Sequence, residues 1–588
     1  MIKMMLTGIG MGVCGICGAA TPRTEDVPAA PKELRVVRAA AAPIIDGKLD
    51  DAVWSTAATI EELHQIRPGN GTPPTERTIV YVLYDKDALY VGARMWDSGA
   101  PHDITRNIMK QGSGLAEDDR LAIILDPFNT RRQGYRFEVN ANGVRNDMLY
   151  QNNQLQSEWT VIWEAAGALA EDGWTAEMAI PFKTLPFDPT IDAWGFNVSR
   201  AIRRRGEEML WVSRNRTWNP SIVGVATGLT DLDQGMGLDI VPGFTTRERR
   251  SYVNSTSAWE NDPTLDVYYR FTPSLTGSLT FNTDFSATEV DERQVNLTRF
   301  NLFFPEKRDF FLNDADLFDF GRIGTGGYLT NVRSVSRAGQ ENARPFFSRR
   351  IGLNSLGAPV DIEYGSKLSG RIGRFNVGAL AVRQDGYVAG ATRVDPMNAI
   401  VTRVSANVLD ESSVGMIATS GNPLDNRDNS LIGADFLFLN SRLFGDRTLE
   451  AEGWYQQTQT DGLEGDDRAF GAAVRLPNAT GWRGGLGWRQ IEQNFFPALG
   501  FVNRVDARDT WTDAGYTHFI GGETLQSLFA GVDALRSTSL ATGDVQTQIV
   551  ALRPLEIEGR GRDTLRFIYT LNEESLTGPF TIYRSGLR

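Results

Sequence analysis

The side chains of this chain that could do chemistry begin with its carboxylates. Hydrolysis of a glycosidic bond needs two acids facing each other across a cleft. The run Glu117-Asp118-Asp119 supplies acids, but neighbours on a strand point to opposite faces, so the run cannot by itself be such a pair. Zinc chemistry is disfavoured because His64, His102 and His518 are far apart in sequence, and both cysteines, Cys14 and Cys17, lie in a segment that reads as cleavable. There is no Gly-x-Ser-x-Gly elbow with a partnered histidine and no phosphate loop. A second charged group, Glu306-Lys307-Arg308-Asp309, sits between the pairs Phe303-Phe304 and Phe310-Phe311. Charges flanked in this way cannot lie unpaired in lipid. With Arg349 and Arg350 they are expected to form an ion-paired latch with a structural role, which would cost about 3–5 kcal/mol to break from one side.

The elements that must position these groups read as strands. From Leu275 the sequence LTGSLTFNTDF alternates strictly: Leu275, Gly277, Leu279, Phe281 and Phe285 fall on one face, Thr276, Ser278, Thr280, Asn282 and Asp284 on the other. Two-faced strands of this kind recur from about Thr264 to Leu571, with turns such as Asp385-Gly386, Asn422-Pro423 and Asp461-Gly462 between them. Their length and the aromatics near their ends suit a membrane β-barrel better than a soluble sandwich. Before Asp233 the runs are shorter: Thr78 to Tyr84, Ala88 to Trp96, Arg120 to Leu125, Tyr135 to Asn140, Trp174 to Ile180 and Trp194 to Arg203. Short strands at that spacing predict a β-sandwich.

Gross composition bounds the function. With 588 residues, two domains are expected. A formal net charge of −13 excludes a nucleic-acid partner that reads phosphates through a basic patch. A hydrophobic fraction of 41% is compatible with a membrane barrel, because half of each strand faces away from lipid. Residues 1–20 have a basic start, an apolar run and small residues before Thr21, the pattern of an export signal. Residues 21–43 read as a linker, 44–232 as the sandwich and 236–588 as the barrel.

Three stretches of the first region, IIDGKLDDAVW, EDDRLAIILDPFNTRRQGYRFEVNANGVRND and DGWTAEMAIPFKTLPF, resemble the carbohydrate-binding family 9-like β-sandwich. The segments TDFSATEVDERQVNLTRFNLFFPEKRDFFLNDADLF, PFFSRRIGL and YGSKLSGRIG resemble the bacterial outer-membrane proteins that join such a sandwich to the barrel region DUF5916. Members of that family continue for more strands after the segment matching GFVNRVDARD. This chain ends in YRSGLR without a terminal aromatic, so the barrel is expected either to close with fewer strands or to be truncated.

The resemblance implies a carbohydrate ligand. Sugars stack their apolar faces on aromatic rings while short polar groups fix the hydroxyls. Trp96, Trp159 and Trp163 lie near strand ends or loops, and Arg120, Glu138 and Asn140 sit on neighbouring strands. These six are the candidate binding residues. The resemblance also implies a structural calcium, for which Asp46, Asp50, Asp51, Asp97 and Asp126 are the candidate ligands. No other cofactor is expected. The expected protein is thus an all-β, outer-membrane-associated binding protein, with carbohydrate and outer-membrane lipid as partners and its sandwich in the periplasm or at the surface. The alternative is a secreted hydrolase acting on O-glycosyl bonds, with the sandwich as accessory module.

Overall fold

The computed structural model describes residues 32 to 580 except 152, 158, 252–255, 284–302, 305, 307, 325–336, 355–356, 391, 410, 523 and 576–578. The expected signal segment, Phe285 and Lys307 lie outside the described residues.

Two sheets make the sandwich. One runs through Glu33–Arg35, Gly224–Thr227, Ala193–Ile202, Arg120–Asp126, Gly134–Asn140, Arg145–Gln151 and Gln154–Gln156; the other through Glu164–Ala170, Gly173–Pro181, Ala88–Trp96, Thr78–Tyr84 and Val37–Arg38. Alternate residues of each meet between them: Leu121, Ile123, Phe137 and Val139 pack with Val80, Val82, Val91, Ala176 and Met178. The strand Arg120–Asp126 is buried along its whole length, because loops also cover its other face. The stretch expected as a linker needs correction in its described part. Glu33 pairs in parallel with Val225, and Val37 with Leu83, so it supplies an edge strand to each sheet. Its alternation was too short to read in the sequence.

After Gly237 the chain builds one antiparallel sheet of sixteen strands in sequence order: Leu238–Ser251, Thr256–Thr272, Leu275–Thr283, Ile362–Ile372, Phe375–Gln384, Met397–Val408, Ser412–Ser420, Asn429–Leu443, Arg447–Thr460, Arg468–Leu476, Gly481–Ile491, Ala507–Phe519, Leu525–Ser539, Val545–Gly559, Thr564–Ser575 and Pro579–Phe580. Among the described residues, no pair joins the first strand to the last. Four strands within it escape the sequence pattern: Leu238–Ser251, Gly481–Ile491, Ser412–Ser420 and Pro579–Phe580. The second reads GWRGGLGWRQI, whose glycines resemble a turn. At Gly487 the missing side chain has a packing reason, because a Cβ there would come within 2.7 Å of the Trp511 indole on the next strand.

The alternation of the Leu275 strand resolves with its apolar side outward. Leu279 and Phe281 are each 46% exposed, whereas Ser278 and Thr280 are buried. The same holds along the sheet: Leu368, Ile400, Met416, Ile432 and Leu486 are exposed, while Lys367, Arg403, Thr419, Glu450 and Arg489 are buried. The described part of the connection between Thr283 and Ile362 packs on the inner face. It contains the short helices Asp309–Leu312, Ala315–Phe318, Arg337–Gln340 and Ser348–Arg350, of which the first two carry phenylalanines. Phe310, Phe320 and Phe346 form one apolar cluster with Ile362, Leu380, Val401, Ile417, Leu431, Trp454, Ala469 and Ile491. Those last eight residues come from eight successive strands, so the sheet curves around this plug. Gly378 and Gly433 give the rings room, since a Cβ at either would lie 2.9 Å from Phe318 or Phe320 respectively.

The sandwich rests against the end of the sheet where strands turn by 273–274, 373–374, 409–411, 444–446, 477–480, 520–524 and 560–563. Phe187 N–H donates to the Pro273 carbonyl at 3.1 Å. Arg132 binds Asn407, and Arg371 binds Gln133. Arg214 reaches the Ser441 carbonyl at 2.7 Å, Asn215 reaches Asn478 at 3.1 Å, and Arg560 donates to the Arg205 carbonyl at 3.1 Å. Arg67 pairs with Glu558 at 2.6 Å, and the Arg216 guanidinium lies 3.9 Å from the Phe519 ring centroid.

Candidate functional site

The motif IIDGKLDDAVW wraps the outer face of the second sheet, and Glu177 holds it there. That carboxylate accepts the backbone N–H groups of Asp46 (3.0 Å) and Gly47 (2.8 Å) and the Trp54 indole N–H (2.9 Å). Burial pushes the Glu177 carboxyl above the usual range, and these donors pull against that shift. Trp54 packs with Leu83, Tyr90 and Ala179 beneath the wrap.

The three candidate tryptophans separate into different environments. Trp96, half-buried at the end of its strand, carries the guanidinium groups of Arg77 and Arg94 at 4.9 and 5.1 Å from its ring centroid. Arg77 is paired to Glu61 at 3.1 Å, and Arg94 to Asp172. Trp159, also half-buried, stacks on Tyr135 at 4.8 Å and meets Phe137 edge-on. Trp163 needs correction: it is 1% exposed, T-shaped against Phe137 at 5.1 Å, and part of the sandwich core. A ring so covered has no face for a sugar.

The polar candidates are also turned inward. Arg120 lies 3.4 Å from Glu138 and 3.2 Å from Glu208; Arg136 pairs with Glu138 at 2.5 Å, and Asn146 donates to Glu138 at 3.0 Å. Asn140 is buried, donating to Asp118 at 2.8 Å and to the Ile108 carbonyl at 2.9 Å. Arg120 and Glu138 are therefore consumed by ion pairs and Asn140 by the loop that carries Ile108 and Asp118, rather than lining an open surface. Sequence could place them on neighbouring strands, but the loops that cover that face are long-range neighbours.

The acidic run is likewise consumed by loop structure. Glu117 pairs with Arg203 at 2.7 Å, Asp118 accepts the N–H groups of Asn107 and Ile108, and Asp119 accepts the Arg203 N–H at 2.5 Å. Burial pushes the Asp119 carboxyl up to about 6.

The calcium expectation also needs correction. Asp46 accepts the Lys48 N–H at 2.9 Å, Asp51 accepts the Ile44 N–H at 2.7 Å, and Asp50 is exposed. Asp97 is held by Arg204 and by the Gly99 N–H. Asp126 accepts the Arg131 N–H at 2.7 Å to close its own loop, and burial lifts its carboxyl to about 6. These are turn-capping and ion-pairing roles. Among the described residues no group of three or more His, Cys, Asp or Glu side chains could hold a metal.

In the plug, Glu306 and Arg308 of the charged tetrad bind each other at 2.6 Å. Arg308 also donates to the Ile351 and Ser348 carbonyls, each at 3.0 Å, and Glu306 accepts the Ser348 hydroxyl at 2.7 Å. The tetrad thus clamps the turn that contains Arg349 and Arg350. Arg350 itself donates to the Gly500 carbonyl at 3.0 Å, and Arg349 lies 5.6 Å from the Phe304 ring centroid. The side chain of Asp309 lies outside what is described.

A larger charged system went unread in the sequence. On the inner face, Glu450 is gripped by Arg322 of the plug (2.5 Å) and by Arg475. Arg403 binds Asp435 through both nitrogens at 2.5 and 2.9 Å, Arg489 binds Asp509 at 2.8 Å, and Arg553 binds Asp533 at 2.9 Å. The available signal was a lone charge on the polar side of an apolar strand, as in RAFGAAVRL. Which strand supplies the partner depends on register: Glu450 stands directly opposite Arg475.

The fold is a two-sheet β-sandwich joined to a large curved sheet with an apolar exterior. The sequence matches the carbohydrate family 9 binding domain-like family over residues 45–221 and the domain of unknown function DUF5916 over 236–324. The chain therefore combines these two domains. A search of curated protein sequences returned no match. Among solved structures it is similar to a family 9 carbohydrate-binding module from Caldicellulosiruptor kristjanssonii in complex with cellotriose. That match has 19% identity and a TM-score of 0.24, and covers 33% of this chain and 93% of that one. A putative carbohydrate-binding protein from Bacteroides uniformis matches at 12% identity and a TM-score of 0.27, covering 34% and 99%. The outer membrane protein OpdK from Pseudomonas aeruginosa matches at 12% identity and a TM-score of 0.26, covering 81% and 96%.

Proposed function

We propose that the sixteen-stranded sheet sits in an outer membrane and that the sandwich binds carbohydrate, the two together serving glycan capture or uptake. The observation that carries this reading is the orientation of the sheet, with exposed apolar side chains outside and paired charges inside. Water-facing sheets do the reverse, because burying unpaired charge is costly and exposing contiguous apolar surface favours association. Lipid removes the second cost. Aromatics also gather near both strand ends, as in an interfacial girdle. Phe271, Phe375 and Trp482 lie toward the sandwich, and Tyr364, Tyr455 and Trp488 toward the opposite end, all of them exposed.

The carbohydrate half rests on the domain match over 45–221 and on two half-buried tryptophans, Trp96 and Trp159. A sugar would stack on the ring area that Arg77, Arg94 and Tyr135 leave open. Fractionation and glycan binding test the two halves separately. The full chain should sediment with outer membranes and resist extraction by alkaline carbonate; recovery in the soluble fraction overturns the membrane reading. Glucose and cellotriose are the first probes of binding. Trp96→Ala or Trp159→Ala should lower affinity at least tenfold, and full binding in both variants overturns the stacking reading.

A further inference from the structure

The connections between strands differ sharply at the two ends of the sheet. At the sandwich end every hairpin is tight, from 273–274 to 520–524. At the opposite end, beside short connections at 252–255, 540–544 and 576–578, the chain makes longer ones: 284–361, whose described part forms the plug, 385–396 with its own small hairpin, 492–506, 421–428 and 461–467. Outer-membrane barrels have this asymmetry, with short turns in the periplasm and longer loops outside. The two ends are also occupied differently. Polar contacts from the sandwich reach turns spread around the sheet, from Pro273 through Ser441 to Glu558.

We propose that the sandwich faces the periplasm and covers the periplasmic mouth of the sheet. This rests on the membrane reading above and sharpens it. The glycan that the sandwich binds is then met behind the outer membrane, as a pyranose chain already in the periplasm. It comes either from an imported oligosaccharide or from the cell wall. Extracellular polymer is not captured directly. The long loops, not the tryptophans, present the outer surface.

Single cysteines test the orientation in the full chain, in a Cys14→Ser, Cys17→Ser background. Met109→Cys and Ile162→Cys report on the sandwich, where the native side chains are 72% and 79% exposed. Glu464→Cys and Ala541→Cys, also at exposed positions, report on the opposite end. In intact cells a membrane-impermeant maleimide should label positions 464 and 541 only, with 109 and 162 reacting once the outer membrane is permeabilised. Labelling of 109 or 162 in intact cells overturns the proposal. So does failure to label 464 and 541 when the protein is in the membrane fraction. If all four stay unlabelled and the protein is soluble, the membrane reading itself fails. Binding to cellotriose or to isolated cell-wall sacculi then separates the two sources of glycan, and binding to neither overturns the glycan assignment.

Discussion

In the sandwich, Leu121, Ile123 and Leu125 turn inward against the facing sheet. In the large sheet, the alternating residues Phe470, Ala472, Val474 and Leu476 turn outward, and Arg475 turns in. Both regions are built from short-period alternation, yet the apolar side points in opposite directions. The difference shows that alternation encodes two faces but not the solvent of either. In the sandwich, a second sheet supplies the apolar partner. In the large sheet, the interior is taken by a plug and by ion pairs, which leaves the apolar face to be covered from outside. The charges differ in the same sense. The Arg120-Glu138-Arg136 group of the sandwich is sealed by loops, whereas the Arg322-Glu450-Arg475 group ties plug to wall across elements far apart in sequence.

The largest expected effect comes from breaking that tie. Glu450→Ala would leave Arg322 and Arg475 buried without their shared partner, at a cost of about 3–5 kcal/mol. Heat-modifiability on gels should fall accordingly, and an unchanged transition would show that plug and wall are not coupled through this group.

Next comes a direct test of which side meets lipid. Leu368, 38% exposed, lies on the outer face of its strand. Leu368→Arg should cost about 2–4 kcal/mol if that face is in lipid, whereas an exposed site in water would change by about 0.5 kcal/mol or less. Reversible unfolding in bilayers distinguishes these values.

In the sandwich, Glu177→Ala removes the acceptor for two backbone N–H groups and the Trp54 indole. This should destabilise the wrap by about 1–3 kcal/mol. Hydrogen exchange should rise at residues 44–57 and remain unchanged in the large sheet.

A further effect is a pH slope confined to the sandwich. Asp119 and Asp126 hold their protons to about pH 6 in the fold, against an ordinary 3.8. Between these values the unfolded chain binds fewer protons than the folded one, so their contribution is fully present below pH 3.8 and lost as pH rises through 6. Asp126→Asn should flatten the fall in sandwich stability between about pH 4 and 6, measured by denaturant titration with tryptophan fluorescence. A slope identical to that of the unsubstituted chain would remove Asp126 from the account.

Much of the architecture was legible locally. The strands Thr78–Tyr84 and Ala88–Trp96 have the bounds read from the sequence as short strand-like runs, and Phe375–Gln384 differs by one residue. The Gly-rich strand Gly481–Ile491 was hidden because its glycines serve packing against Trp511, a reason that lies on another strand. The candidate site was less legible. Trp96, Trp159 and Trp163 look alike in sequence, since each follows or precedes a strand. Trp163 is nevertheless core because Phe137 and the rest of the sandwich interior close over it. The aspartates proposed for calcium are also alike in sequence, and only their donors reveal turn caps and an arginine partner.

The sequence by itself determined the period of the strands and the all-β class, a sandwich followed by long antiparallel strands, because these depend on residue types at local spacing. Only the tertiary structure decided that the apolar side of Leu275–Thr283 faces outward, which charges pair, and which tryptophans keep exposed ring area. Those outcomes depend on what is brought against each face, and the covering elements are the plug, the loops and the neighbouring strands. Their positions follow from pairing register and chain closure over long separations, which local alternation does not encode.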